Sequence, residues 1–215
     1  MIKKALYTFL ILIVGYTLFV SYLAPKWWYA SQHQWQDNVI CAQHYLYGDK
    51  SKIKNVILGS SLSCRIMADS LPDTYNLSLN GLSIFDGLNV LRHQANAPEN
   101  VLIEMNVVVR EASEEFNHAL YSPFLYYPRK VMMSLREDKQ PIAIIGSLPK
   151  LMKSMLNPQK AVKNEFEKIQ ETDDSFFNTM LEIQKKLYSQ SPSTELLDKT
   201  FALLRERVSE LEKKE

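Results

Sequence analysis

The run Val56-Ile57-Leu58-Gly59-Ser60-Ser61-Leu62-Ser63 carries an apolar stretch of strand length into a glycine and then a cluster of serines. A strand that stops at glycine and passes into a helical segment sets Ser61 at the carboxyl edge of a sheet and at a helix N-terminus. Free backbone N–H groups and the helix dipole at such a point stabilise a developing oxyanion, so a serine there is placed for acyl transfer. Turn chemistry alone also accounts for Gly-Ser-Ser after a strand. Two further apolar runs bear on the choice: residues 75–79 end at Asn80-Gly81, and residues 101–105 end at Asn106. In a parallel sheet all three ends open on one edge, where α/β proteins place their sites. A serine, a glycine N–H and an asparagine amide at three strand ends supply a nucleophile and two oxyanion donors.

These residues resemble the SGNH (GDSL-type) hydrolases, in particular the membrane-anchored branch of D-alanyl transfer and alginate O-acetylation proteins. Leu58-Gly59-Ser60-Ser61-Leu62-Ser63 is similar to the first block, Gly-Asp-Ser-Leu, with Ser60 in the aspartate position. The resemblance implies Ser61 as nucleophile, with the Gly81 N–H and the Asn106 amide as oxyanion donors. The usual Gly-x-Asn-Asp of the third block is reduced to Glu104-Met105-Asn106-Val107. It implies an esterase or O-acyltransferase acting on acyl groups of a cell-envelope polysaccharide, with an integral-membrane acyltransferase and a glycan as partners. The family's last block, Asp-x-x-His, is absent; Glu115-Phe116-Asn117-His118 is the nearest shape, which makes His118 the candidate base. A serine hydroxyl without a base is a poor nucleophile, so the chain as it stands is expected to be weak or inactive. The alternative is a membrane-anchored interaction or assembly protein that keeps the α/β scaffold without catalysis.

The elements that must position these residues are strands over 55–58, 75–79 and 101–105 and a helix over 84–94, with Ile84, Leu88 and Leu91 at helical spacing. Strands alternating with helices imply βαβ units and a parallel sheet. The resemblance makes this a three-layer, flavodoxin-like SGNH sheet, apparently truncated, with the strand of Ser61 in the middle. From about residue 111 the pattern turns helical. Residues 119–135 are aromatic and apolar, suited to packing over the sheet edge or to forming a lid or partner surface. Asn157-Pro158 reads as a helix start, with helix over 160–189. Ser191-Pro192 opens another helix, in which Leu197, Phe201, Leu204, Val208 and Leu211 form an apolar seam. With only three strands, residues 101–105 are expected to be an exposed edge beside that seam, in a domain lacking the strand and Asp-x-x-His that should follow.

Met1-Ile2-Lys3-Lys4 precedes a stretch from Ala5 to Pro25 without a charged residue. A helix of that length spans about 30 Å, the thickness of a hydrocarbon core. Lys26, Trp27, Trp28 and Tyr29 supply the basic and aromatic girdle of a membrane interface. The run exceeds the apolar core of a secretory signal and has no A-x-A exit, which favours an uncleaved anchor. Lys3 and Lys4 would keep the start in the cytoplasm and send residue 30 onward to the outside of the inner membrane. The expected organisation is a tail at 1–4, an anchor at 5–25, a juxtamembrane linker at 26–49 and the α/β domain at 50–215.

Composition narrows the function further. A formal net charge of +1 with both signs interspersed argues against a nucleic-acid surface. His33, His44, His93 and His118 form no cluster, and no Cys/His spacing suits a zinc site, so no metal or cofactor is expected. Cys41 and Cys64 either pair in an oxidising compartment or stay free, and Cys64 in its apolar stretch suits a buried small side chain.

Overall fold

The structure is a computed structural model that describes residues 2–22, 33–67, 71–106, 108–143, 145–146, 178, 181–182, 185, 189 and 191–214. The helix expected over 160–189 lies almost wholly outside these residues. Among them the fold is mixed α/β, mostly helical, around a small parallel sheet.

The sheet contains β1 (Asn55–Leu58), β2 (Thr74–Asn76) and β3 (Asn100–Ile103) in the order β2-β1-β3. Both pairings are parallel, with Val56 opposite Tyr75 on one side and Val101 on the other. The apolar run that suggested β1 is central and buried, as a strand covered on both faces must be. The second run forms a ladder only to Asn76; Leu77 and Leu79 donate onward to the carbonyls of Ile57 and Gly59, at 2.9 Å each. Leu77 and Leu79 stay fully buried although the regular strand has ended.

Helix α1 (Ile2–Tyr22) is the charge-poor N-terminal run, long and apolar enough to cross a membrane. Residues 26–49, expected as a linker, instead contain a 14-residue helix, α2 (Gln34–Tyr47). Val39, Ala42, Tyr45 and Leu46 recur at helical spacing and enter the hydrophobic core. His33 caps the helix, its Nδ1 accepting from the amide of Gln36 at 3.2 Å.

Helix α3 (Ile84–Arg92) crosses from β2 to β3 and begins with a capping box between Ser83 and Asp86. Asp86 is fully buried. Its Oδ2 accepts from the Ser83 amide at 2.9 Å and its Oδ1 from the Ser113 amide at 2.8 Å. Ser113 is the N-cap of α4 (Glu114–Tyr121), so one carboxylate secures two helix starts.

Helix α5 (Pro123–Val131) follows at once, with Pro123 in its first turn. It packs mainly on α4 and on a 3-10 turn, Met133–Leu135. Arg129 is buried and donates to the carbonyls of Ala119 at 2.9 Å and Leu135 at 3.2 Å, holding all three pieces together. The next turn, Glu137–Lys139, is fastened to α2. The Glu137 amide donates to Gln43 Oε1 at 2.7 Å, and His44 Nε2 lies 3.1 Å from Asp138 Oδ2. Helix α1 meets the same segment: the Tyr16 hydroxyl donates to the Lys139 carbonyl, and the Thr17 and Ser134 hydroxyls are 2.8 Å apart.

Helix α6 (Thr194–Glu212) is the seam-bearing helix, capped by Ser193. Its last turns rest on α3: Leu211 is buried, Glu210 pairs with Arg92, and the Lys214 ammonium donates to the carbonyls of Arg92 and Gln94. Phe201 and Leu196, earlier in the helix, remain exposed. β3 is an edge strand among the described residues, and a cavity of about 300 Å³ separates it from Val208 and Leu211.

Candidate functional site

β1 ends at Leu58, and the chain turns through Gly59, Ser60, Ser61 and Leu62 into a single 3-10 turn, Ser63–Arg65. The helix expected here is therefore absent. A turn this short carries no significant macrodipole, so any stabilisation of charge at Ser61 must come from individual N–H groups.

The turn is held from the neighbouring strand. Glu104, immediately after β3, sends one carboxylate oxygen across to it. That Oε2 accepts from the amides of Ser60 and Ser63 at 3.0 Å each, and from the Ser63 hydroxyl. Gly59 makes the approach possible: a Cβ there would lie 2.4 Å from Ser63 Oγ and 2.5 Å from Glu104 Oε2. Burial works against the charge on Glu104, but the Ser63 hydroxyl, the two amides and the Asn106 side chain outweigh it and hold its carboxyl below the usual value. The carboxylate is thus ionised at neutral pH and acts as a bracket.

Between the two bracketed residues, Ser61 is exposed, and neither its hydroxyl nor its amide is hydrogen-bonded to any described residue. Gly81 follows β2 on the other side of β1, at φ +73°, a left-handed conformation that suits glycine. Its N–H is likewise unengaged among the described residues. The loop that carries it is fixed by α2: Asn38 accepts from the Asn80 amide at 2.8 Å and donates to the Asn80 carbonyl at 2.9 Å. Gln34 Nε2 donates to the same carbonyl at 2.7 Å. Asn106 lies exposed two residues beyond Glu104, and its side chain helps to hold that carboxyl below its usual value. An amide has two N–H bonds, so it can serve that carboxyl and still offer one.

The topology brings the three strand ends of Ser61, Gly81 and Asn106 to one edge of the sheet. His118 is on the exposed face of α4, and its ring makes no hydrogen bond among the described residues. Ser61 has no histidine partner there either. A cleft of about 580 Å³ opens beside the Ser61 turn, lined in part by Asn38, His44, Cys64, Arg65, Ser78 and Asn80. The Ser78 hydroxyl in it is buried without a hydrogen-bond partner among the described residues.

Cys41 and Cys64 are free thiols, both on this cleft. Cys64 is exposed and not buried as expected, because the chain leaves the sheet at Gly59 and residues 64–67 run over the surface. Burial pushes the Cys41 thiol up to about 12. Among the described residues no group of His, Cys, Asp and Glu is arranged to hold a metal ion.

Three residues of this arrangement were not singled out from the sequence: Glu104, Asn38 and Gln34. Glu104 stood inside the third-block segment, where Asn106 drew the attention. Asn38 and Gln34 lie in 26–49, expected as a linker, although Val39, Ala42, Tyr45 and Leu46 there recur at helical spacing. Comparison with protein-family models, with curated proteins and with solved structures found no match to this chain.

Proposed function

We propose that this is a membrane-anchored, extracytoplasmic esterase or O-acyltransferase of SGNH type, acting on acyl groups of a cell-envelope polysaccharide. The observation that carries this is the treatment of the β1 turn. Glu104 fixes the amides on either side of Ser61, while the Ser61 hydroxyl and N–H are left unengaged at the carboxyl end of the central strand. A serine that served only the turn would be expected to spend its hydroxyl on the backbone.

In this reading the Ser61 oxygen attacks an acyl carbonyl and forms a tetrahedral oxyanion. The N–H groups of Ser61 and Gly81 and a side-chain N–H of Asn106 receive that charge. Collapse expels the donor oxygen and leaves an acyl-serine, which water or a sugar hydroxyl then takes over. The hydroxyl proton must pass to a base. His118 on α4 is a poor candidate, so the base would come from a partner or from another part of the chain. The fold would be the three-layer, flavodoxin-like one, with α1 as the anchor and Lys3-Lys4 in the cytoplasm. The runner-up, an assembly protein with a vestigial site, draws on that missing base.

The test is covalent labelling of the full chain in detergent with a fluorophosphonate. An activated Ser61 displaces fluoride and is phosphonylated, which peptide mass spectrometry locates, and Ser61→Ala abolishes the label. Absence of label on Ser61, together with no release of acetate from an acetylated glycan, would leave the assembly role.

A further inference from the structure

The segment from α5 to residue 143, with Ile145, has its polarity reversed relative to a water-facing surface. Phe124 is 90% and Val131 87% exposed, and with Tyr127 they recur at i, i+3 and i+7 on the outer side of α5. Met133, Ile142 and Ile145, beyond the helix, are exposed as well. Three charges of the same segment, Arg129, Asp138 and Lys139, are buried instead, while Lys130 stays exposed. Asp138 is 4% and Lys139 7% exposed, and Asp138 Oδ2 lies 3.1 Å from both the Lys139 ammonium and His44 Nε2 on α2. Apolar groups outside and paired charges inside suit a lipid surround.

The anchor fixes the depth of this surface. Thr17 and Tyr16 lie five and six residues before the end of α1 at Tyr22 and bond to Ser134 and Lys139. At about 1.5 Å per residue, those contacts sit roughly 8–9 Å inside the end of the helix. Amphipathic elements that lie in a membrane interface bury their apolar face about 5–10 Å. The two depths agree. Lys130, over the Tyr126 ring at 4.5 Å, adds an aromatic–cation pair of the kind found at headgroup level.

We propose that residues 123–143 and Ile145 form a second membrane-contacting element, a monotopic apolar face that dips into the same leaflet into which α1 emerges. It rests on the reading of α1 as a membrane-spanning anchor. The occupant is lipid and not a protein partner, because the face is continuous with the anchor and locked to it at hydrocarbon depth. The Arg129 clip and the Glu137–Gln43 and His44–Asp138 bonds make it one rigid piece with α2, which also holds the Gly81 loop. The bilayer would therefore set the height and tilt of the candidate site.

The unmodified full chain, reconstituted alone in vesicles of phosphatidylethanolamine and phosphatidylglycerol, can be photolabelled with a lipid-dissolved aryl diazirine and mapped by peptide. The expected result is label in α1 and at Phe124, Tyr127, Val131 and Ile145, with none at the exposed Leu102 and Phe201. Label in α1 alone overturns the proposal while the anchor stands, and is also the outcome if a protein partner owns the face. Label in neither overturns anchor and face together. Label at Leu102 and Phe201 to the same extent shows unselective uptake and equally overturns it.

Discussion

Glu104 accepts the hydroxyl of Ser63 and, on the same oxygen, the amides of Ser63 and Ser60. The carboxylate stands at the end of an edge strand and the serines at the end of the central one. A single side chain thus decides the shape of the turn that presents Ser61. It also explains Gly59, where any Cβ would collide with both partners.

Glu104→Gln should keep the volume but lose the charge, and its NH2 group cannot accept. A loss of about 2 kcal/mol in unfolding free energy is expected for charge-assisted bonds of this kind. Gly59→Ala should cost at least as much, by pushing the carboxylate away. Denaturant unfolding of the detergent-solubilised chain measures both. Stabilities within about 0.5 kcal/mol of the parent would remove Glu104 as the bracket.

Ser61→Ala should behave in the opposite way. Ser61 is exposed and bonded to no described residue, so stability should change by less than about 0.5 kcal/mol while fluorophosphonate labelling disappears. A marked loss of stability would mean that the hydroxyl is structural.

Asn38→Ala removes both of its bonds to the half-buried Asn80 backbone, leaving the amide without that acceptor and the carbonyl with Gln34 Nε2 alone. About 1–3 kcal/mol is expected. The informative readout is faster hydrogen exchange at residues 79–82, with little change at 59–63. Equal changes in both loops would show that α2 supports the whole edge and not the Gly81 loop specifically.

Acid should loosen the molecule in a defined order of sign. Glu104 and Asp138 are both held below their usual values of 4.5 and 3.8. For Asp138, burial opposes the charge, but the His44 hydrogen bond and the Lys139 ammonium outweigh it. A carboxyl depressed in the folded state stabilises fully above its unfolded value, and that stability is lost as pH falls through the folded one. Asp86 runs the other way: burial raises it despite its amide donors, so falling pH favours the fold through this group. Melting temperature should drop as pH falls below about 4.5, more shallowly in Glu104→Gln and more steeply in Asp86→Asn.

The strands and their parallel order were legible because a buried parallel strand announces itself as an unbroken apolar run closed by glycine or asparagine. The α3 crossover was legible from Ile84, Leu88 and Leu91. Strand ends were less so: residues 77–79 look like strand by composition, yet they leave the ladder while staying buried. α2 was missed because Gln34, Gln36, Asn38, Gln43 and His44 make it read as polar; Gln34, Asn38 and Gln43 are spent on distant backbone and Gln36 and His44 on the carboxylates of Glu137 and Asp138, which no local pattern reveals. Glu104 was missed for the same reason, since its role depends on a strand pairing across more than 40 residues of sequence. The outward apolar side of α5 was visible as composition, but composition does not say which way Phe124 and Val131 face.

The clamp between α6 and α3 has a temporal consequence. Lys214 reaches the carbonyls of Arg92 and Gln94 across 122 and 120 residues of chain. Closing so large a loop is entropically slow, whereas β1, β2, α3 and β3 assemble from near neighbours. The sheet should therefore form early, and α6 should settle last and detach first. Its amides would then exchange through an opening that leaves the β1–β3 ladder intact, making the C-terminal helix the least durable part of the hydrophobic core.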